Sequence, residues 1–283
     1  MRALKKSALW RVVSTWRGGL SLGVLMLFAL AAIFAPWVAP YPYDIQNLTA
    51  TNQDPTAAHW LGTDEFGRDV LSRIIYGART SLAVALTAIG VSVTLGMCLG
   101  AAAGYFGGWF DRVLTAVVDL TWSFPEVLIA LIFVAILGPG LYSTMVAISI
   151  AYLAQFSRLT RAQIMAIKNE TYIEAATNLG SGPIHILFRH LLPNAITPVI
   201  VAGMLATGDA IILEATLGFF GLGVQPPKPS WGAMMSSGTA QIFLAPWTIL
   251  APGFAIAIAV VSINLFGDAL IDAFDIRNRV RDL

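Results

Sequence analysis

The stretch "NETYIEAATNLGSGPIHILFRHLLPN", residues 169–194, gathers Glu170, Glu174, His185, Arg189 and His190 inside a chain that is otherwise mostly apolar. Carboxylate, imidazole and guanidinium together could serve acid–base, metal or ionic docking chemistry. The remaining sequence separates these choices. His59, His185 and His190 are the only histidines, and none lies in an apolar block. No G-x-S-x-G occurs and no histidines cluster at metal-site spacing, which argues against an intramembrane hydrolase. The only lysines are Lys5, Lys6, Lys168 and Lys228, none preceded by glycine. The Gly-Lys pair of a phosphate-binding loop is therefore absent, and ATP-driven work would need another polypeptide. Cys98 is the sole cysteine, so no intrachain disulfide framework is open to it, and its apolar surroundings suggest a small buried hydrophobe.

A second set of ionisable residues falls inside apolar runs, where each is costly unless paired or wetted. Asp119 and Glu126 are seven residues apart with Trp122 between them, a spacing that puts them on one face of a continuous helix that Pro125 is free to bend, and that face should point inward. Asp209 and Glu214 are five apart and share a face less closely. These five residues are candidates for lining a polar path or meeting another subunit, and equally for hydrogen bonds that fix helix packing. Asp268 and Asp272 are one turn apart, within reach of Arg277 or Arg279, and read as structural.

The elements that position these groups follow from composition. Of the 283 residues 57% are hydrophobic and 12% charged, with mean hydropathy +0.74, against about a quarter charged in soluble domains. A net charge of +1 and the lack of a dense basic run exclude a nucleic-acid arm. Apolar blocks approaching the roughly 20 residues needed to cross a bilayer occupy Gly19 to Val38, Ser81 to Gly104, Val113 to Leu137, Leu141 to Phe156, Ala195 to Leu222 and Pro246 to Leu270. This is an all-α integral membrane protein with about six transmembrane helices. The first block has a basic start like a signal peptide, but proline follows the small residues of "FAPWVAPYP", so an uncleaved span is expected. With both termini inside, thirteen Lys/Arg lie inside and four outside, as the positive-inside rule requires. The expected organisation is a tail at 1–18, a first span at 19–38, an outside segment at 39–80, a core at 81–272 with five spans and the loop 169–194, and a tail at 273–283, both tails cytoplasmic.

Within the loop, Asn169 as N-cap and Gly180 as terminator predict a short helix over 170–179. Pro183 suits the first position of a second helix, running to Leu192 and ended by Pro193. Two short helices tied at both ends to spans could transmit force to something bound beneath. In the outside segment Asp69 and Arg73, at i and i+4, suggest a local ion pair. Its functional readings are packing on a partner permease or, less favoured, contact with a binding protein. "QPPKPSWG", residues 225–232, reads as an ordered outer loop.

"EAATNLGSGPIHILFRHLLP" resembles the EAA loop of bacterial ABC importer permeases, and the "RHLLPN" version, with His190 where the general pattern has an aliphatic residue, resembles the peptide and nickel branch. "HWLGTDEFGRDVLSRIIYGARTSL", "ILEATLGFFGLGVQPPKPSWGAMM" and "NLFGDALIDAFDIR" are similar to segments of the C-type permease subunits of dipeptide, oligopeptide and nickel importers. Ile276 departs from the proline common after Asp275. The resemblance implies a type I importer permease fold with a cytoplasmic coupling helix, and assigns ATPase coupling to Glu174, Ala175, Ala176, Gly180, Pro183, His190, Leu192 and Pro193. It also implies a heterodimer with a second permease, two ATPase subunits carrying ATP and Mg2+, an extracytoplasmic binding protein, no cofactor on this chain, and the bacterial inner membrane. Di- and oligopeptides are the expected cargo, nickel or another small solute the alternative. A proton-coupled secondary transporter using Asp119 and Glu126 is the competing class.

Overall fold

The computed structural model describes residues 8–281, with side chains over 10–274. Its helices are α1 (Ala8–Ser14), α2 (Trp16–Ile33), α3 (Ala35–Val38), α4 (Val70–Phe106), α5 (Gly108–Trp122), α6 (Glu126–Leu137), α7 (Leu141–Lys168), α8 (Thr171–Asn178), α9 (Pro183–Ile186), α10 (Leu192–Phe219), α11 (Trp231–Thr239) and α12 (Trp247–Arg281), with a π turn at Leu187–Leu191 joining α9 to α10. No strand forms among the described residues beyond a single bridge of Thr63 to Asp69.

Four helical stretches are long and apolar enough to cross a membrane: Trp16–Ile33, Val70–Phe106, Pro183–Phe219 and Trp247–Phe274. The pair α5 and α6 adds a fifth only if it counts as one span, because it bends by 97° between Trp122 and Glu126. This corrects the continuous helix expected over 113–137. The residue before a proline is pushed out of the helical region, so Pro125 breaks the helix at Phe124 rather than bending it. Asp119 and Glu126 consequently sit on different helices and share no face. The fourth expected span, 141–156, is part of α7, long enough at 28 residues but less apolar, since it runs beyond Phe156 through Arg158, Arg161 and Lys168.

The chain divides into two compact units. One comprises residues 1–86, 134–144 and 204–283. In it α12 packs on α1, α2 and α11, and the segment before α4 is a knot of polar contacts. Asp64 accepts from Arg68 Nε at 2.7 Å and lies 3.4 Å from Arg73 Nε, while Asp69 caps α4 through the Ser72 amide at 2.8 Å and meets His59 Nδ1 at 2.9 Å. The expected Asp69–Arg73 pair is thus absent: a short side chain at an N-cap satisfies the free amides of the first turn, and Arg73 turns to Asp64 and the Tyr43 carbonyl. α4 also starts at Val70, well before the expected Ser81, because that cap starts it while its first turns are still too polar to read as membrane.

The second unit, residues 87–133 and 145–203, is organised by a glycine stripe. Gly96, Gly100 and Gly104, spaced one turn apart on α4, meet Phe156, Ser157, Thr160, Arg161 and Ile164 on α7. A Cβ at Gly96 would stand 2.6 Å from Phe156 Cβ, and one at Gly104 2.9 Å from the Arg161 carbonyl oxygen. Small residues at this spacing let helix backbones approach closely in lipid, where packing rather than water exclusion drives association. Cys98, on the same stretch of α4, is exposed on this chain rather than buried as expected, since the stripe turns the opposite face toward α7.

Candidate functional site

The loop 169–194 is built on the ends of α4 and α7. Ala101, Ile164, Ile173, Ile186, Leu187, Leu191 and Ala195 form one buried cluster, so one side of α8 and one side of α9 are fixed against the ends of the long helices. Lys168 closes the edge, donating from Nζ to the Tyr105 carbonyl at 2.6 Å and lying over the Tyr105 ring. Glu170, not Asn169, is the N-cap, extended and without a side-chain capping bond. The Lys168–Glu170 turn carries the chain one residue further before the helix begins.

The end of α8 is set by Gly180, at φ +87°. Its amide bonds the Thr177 carbonyl at 2.9 Å, and the Ser181 amide bonds the Ala176 carbonyl at 3.0 Å. This is a Schellman stop, which places the residue after the cap in the left-handed region where a Cβ is disfavoured. Pro183 opens α9 at its first turn. Pro193 does not end the element as expected. It lacks an amide hydrogen and its ring crowds the carbonyl four residues back, and the π turn at Leu187–Leu191 widens the backbone there, so the chain passes directly into α10. His190 sits on that turn with its ring against His185, and its carbonyl accepts from Asn194 Nδ2 at 2.6 Å.

The opposite side of the loop is bare. Leu179 is 87%, Ile184 67% and Phe188 65% exposed, while Glu174, also exposed, borders a hollow with Tyr105, Lys168 and Ile186. Three large exposed apolar residues within ten positions leave this side of the loop uncovered on this chain. Glu174 also lies in the first turn of α8, where negative charge complements the helix dipole.

The path candidates separate. Glu214 is fully buried in α10, facing the hydroxyls of Ser81 and Ser230, whereas Asp209 is exposed. Asp119 and Trp122 remain together on α5, where Trp122 lies under the Arg158 guanidinium at 4.7 Å. Asp119, Arg158 and Arg161 border a cleft of about 180 Å³ between α5 and α7. At its edge Asp111 and Arg161 form a two-pronged ion pair, the second contact at 2.8 Å. Arg158 and Arg161 were invisible as site residues in a span expected to stop at Phe156. Asp268 and Asp272 are exposed, and the side chains of Arg277 and Arg279 lie outside the described residues.

The model of the binding-protein-dependent transport system inner membrane component matches residues 96–280, which include every element of this loop. The chain belongs to that family. A second model, the N-terminal TM domain of oligopeptide transport permease C, matches residues 6–55 of this family member. The chain is 43% identical over 252 residues to the dipeptide transport system permease protein DppC of Alkalihalophilus pseudofirmus, covering 89% of this chain and 83% of that protein. It is 39% identical over 271 residues to the glutathione transport system permease protein GsiD of Pectobacterium atrosepticum, covering 94% and 89%. Among solved structures, an inward-facing conformation of the MetNI methionine ABC transporter matches with TM-score 0.58 at 19% identity, over 71% of this chain and 95% of that one. This likeness establishes the type I importer permease fold. The protein is accordingly a multi-pass membrane subunit of an ABC importer, a transport protein rather than an enzyme, and the resemblance to C-type permeases holds.

Proposed function

We propose that this permease carries di- and oligopeptides, pairs with a second, related permease, and takes its energy from two ATPase subunits docked on the loop 169–194. The observation that carries the docking role is the two-sided loop. Ile173 and Ile186 are buried against α4 and α7 while Leu179, Ile184 and Phe188 face outward. A push on the outer side reaches the long helices without loss in a flexible linker. Glu174, Ala175, Ala176, Gly180, Pro183, His190, Leu192 and Pro193 belong to this element. ATP and Mg2+ are held by the partners, and this chain needs no cofactor of its own.

The cargo follows from the relatives, whose names give dipeptides and glutathione, both molecules with free amino and carboxylate ends. An extracytoplasmic binding protein delivers it. The excess of basic residues flanking one side of the spans supports an inner-membrane subunit with both termini in the cytoplasm. The organisation is a short tail, a first span, an outside segment ahead of the core, and a core carrying the loop.

The test is purification of the tagged chain in mild detergent, identification of the chains that accompany it, and reconstitution with its binding protein. ATP-dependent uptake of a labelled dipeptide is expected. A chain that purifies alone and transports without ATP would overturn the proposal in favour of a proton-coupled carrier.

A further inference from the structure

The cleft between α5 and α7 is walled by Thr115, Val118 and Asp119 of the first helix and Ser157, Arg158 and Arg161 of the second. Asp119 and Arg158 are both exposed on this chain, so their charges are open to a ligand or to another subunit.

Their local chemistry is incomplete. Asp111 and Arg161 satisfy each other and Arg161 also feels the Asp119 carboxylate, but Asp119 and Arg158 form no ion pair among the described residues, although both border the same cleft. The partner recorded for the Arg158 guanidinium is the face of Trp122, which holds the plane in place and leaves its N–H edge available. The Thr115 hydroxyl, on the same wall, is buried with no hydrogen-bond partner. The space, about 180 Å³, admits several waters or one end of a small molecule.

We infer that this cleft is a subsite for a zwitterion in transit, with Arg158 taking a carboxylate, Asp119 an ammonium group and Thr115 a further polar atom. The inference rests on the peptide-importer reading and supplies the residues by which the membrane part recognises peptide ends. Arg158 is suited to the carboxylate because its planar fork matches two oxygens. Separated charges of opposite sign favour a ligand carrying both signs over one carrying either alone.

The experiment uses the purified complex of permeases and ATPases without binding protein, and equilibrium dialysis of radiolabelled Ala-Ala. Saturable binding is expected in the wild type, weakened about tenfold or more by Asp119→Asn or Arg158→Gln, the loss of one charge-assisted hydrogen bond. N-acetyl-Ala-Ala, which lacks the ammonium group, should compete at least about tenfold less well than Ala-Ala for the wild type but equally for Asp119→Asn, a pattern that general misfolding cannot produce. If either variant loses its partner subunits, Asp119→Glu and Arg158→Lys replace it, with intermediate binding expected. Binding unchanged in the variants, equal competition by the acetylated peptide at wild type, or no wild-type binding overturns the subsite. ATP-dependent uptake of Ala-Ala with the binding protein present is scored separately. Uptake without the charge-dependent pattern rejects the subsite alone, and absence of uptake rejects the peptide-importer reading.

Discussion

Replacing Gly100 with alanine puts a methyl group where α4 and α7 leave no room for one. The new Cβ would stand 2.9 Å from the Arg161 amide nitrogen and from Thr160 Cβ, and closer still to the Ser157 carbonyl oxygen. Two of these neighbours are backbone atoms in the middle of a helix and cannot swing aside. Restoring ordinary contact at about 3.5–4.0 Å requires the helices to part by about 1.3–1.8 Å at the Ser157 carbonyl. Overpacking of this kind costs about 1–3 kcal/mol, which at about 2–4 °C per kcal/mol for a chain of this size lowers the melting temperature by several degrees. Gly90, on the same helix with nothing within 4 Å of its Cβ position, is the internal control. Gly90→Ala should hold or slightly raise stability, since alanine is the better helix former by about 1 kcal/mol. The assay is thermal unfolding of the purified complex followed by intrinsic tryptophan fluorescence. Equal effects at the two glycines, or no loss at Gly100, would refute the close-packed α4–α7 platform.

Gly180→Ala forces a Cβ into the left-handed backbone at φ +87°, a cost of about 1–2 kcal/mol; limited proteolysis of the loop 169–182 should quicken while the membrane helices stay intact. Glu174→Lys reverses an exposed charge on the loop, so ATPase subunits should be retained less firmly and uptake per ATP should fall; unchanged uptake with unchanged ATPase stimulation counts against the docking role. Asp111→Asn removes one side of the ion pair with Arg161, about 1.5–3 kcal/mol for a charged hydrogen bond before discounting for its partial exposure; a double-mutant cycle with Arg161→Gln should show coupling well above the few tenths of an isolated surface pair. Asp69→Asn should cost about 1 kcal/mol or less, because asparagine caps a helix nearly as well, whereas Asp69→Ala should lose both the Ser72 cap and the His59 contact; equal melting temperatures for the two variants would contradict the capping role.

Much of the loop was legible in the sequence because glycine and proline punctuate it. Gly180 and Pro183 mark a stop and a start by backbone chemistry alone, whatever surrounds them. The residues were less informative where tertiary context chose among options. Pro193 could have ended a helix, but a π turn absorbed it. The run 113–137 is apolar enough to hide its break, and the signal for that break was the exclusion of Phe124 from helical geometry ahead of Pro125. Arg158 and Arg161 were overlooked because hydropathy ends a span at the first charge, although a helix continues through an arginine that finds a carboxylate or an aromatic ring. The stripe at Gly96, Gly100 and Gly104 was readable as small residues one turn apart. Which helix it faced was not, since that depends on where α7 lies in space.

The most direct test of the docking role is site-specific cross-linking from the exposed end of α8. In a Cys98→Ser background, Ala175→Cys in the assembled complex is treated with a short bifunctional thiol–amine reagent, and the linked product is identified by mass spectrometry. A covalent product with an ATPase subunit, changing in yield on addition of ATP, is the predicted result. Linkage from Ala175→Cys only to the companion permease or to lipid, with Thr56→Cys in the segment before α4 linking to the ATPase instead, would contradict it.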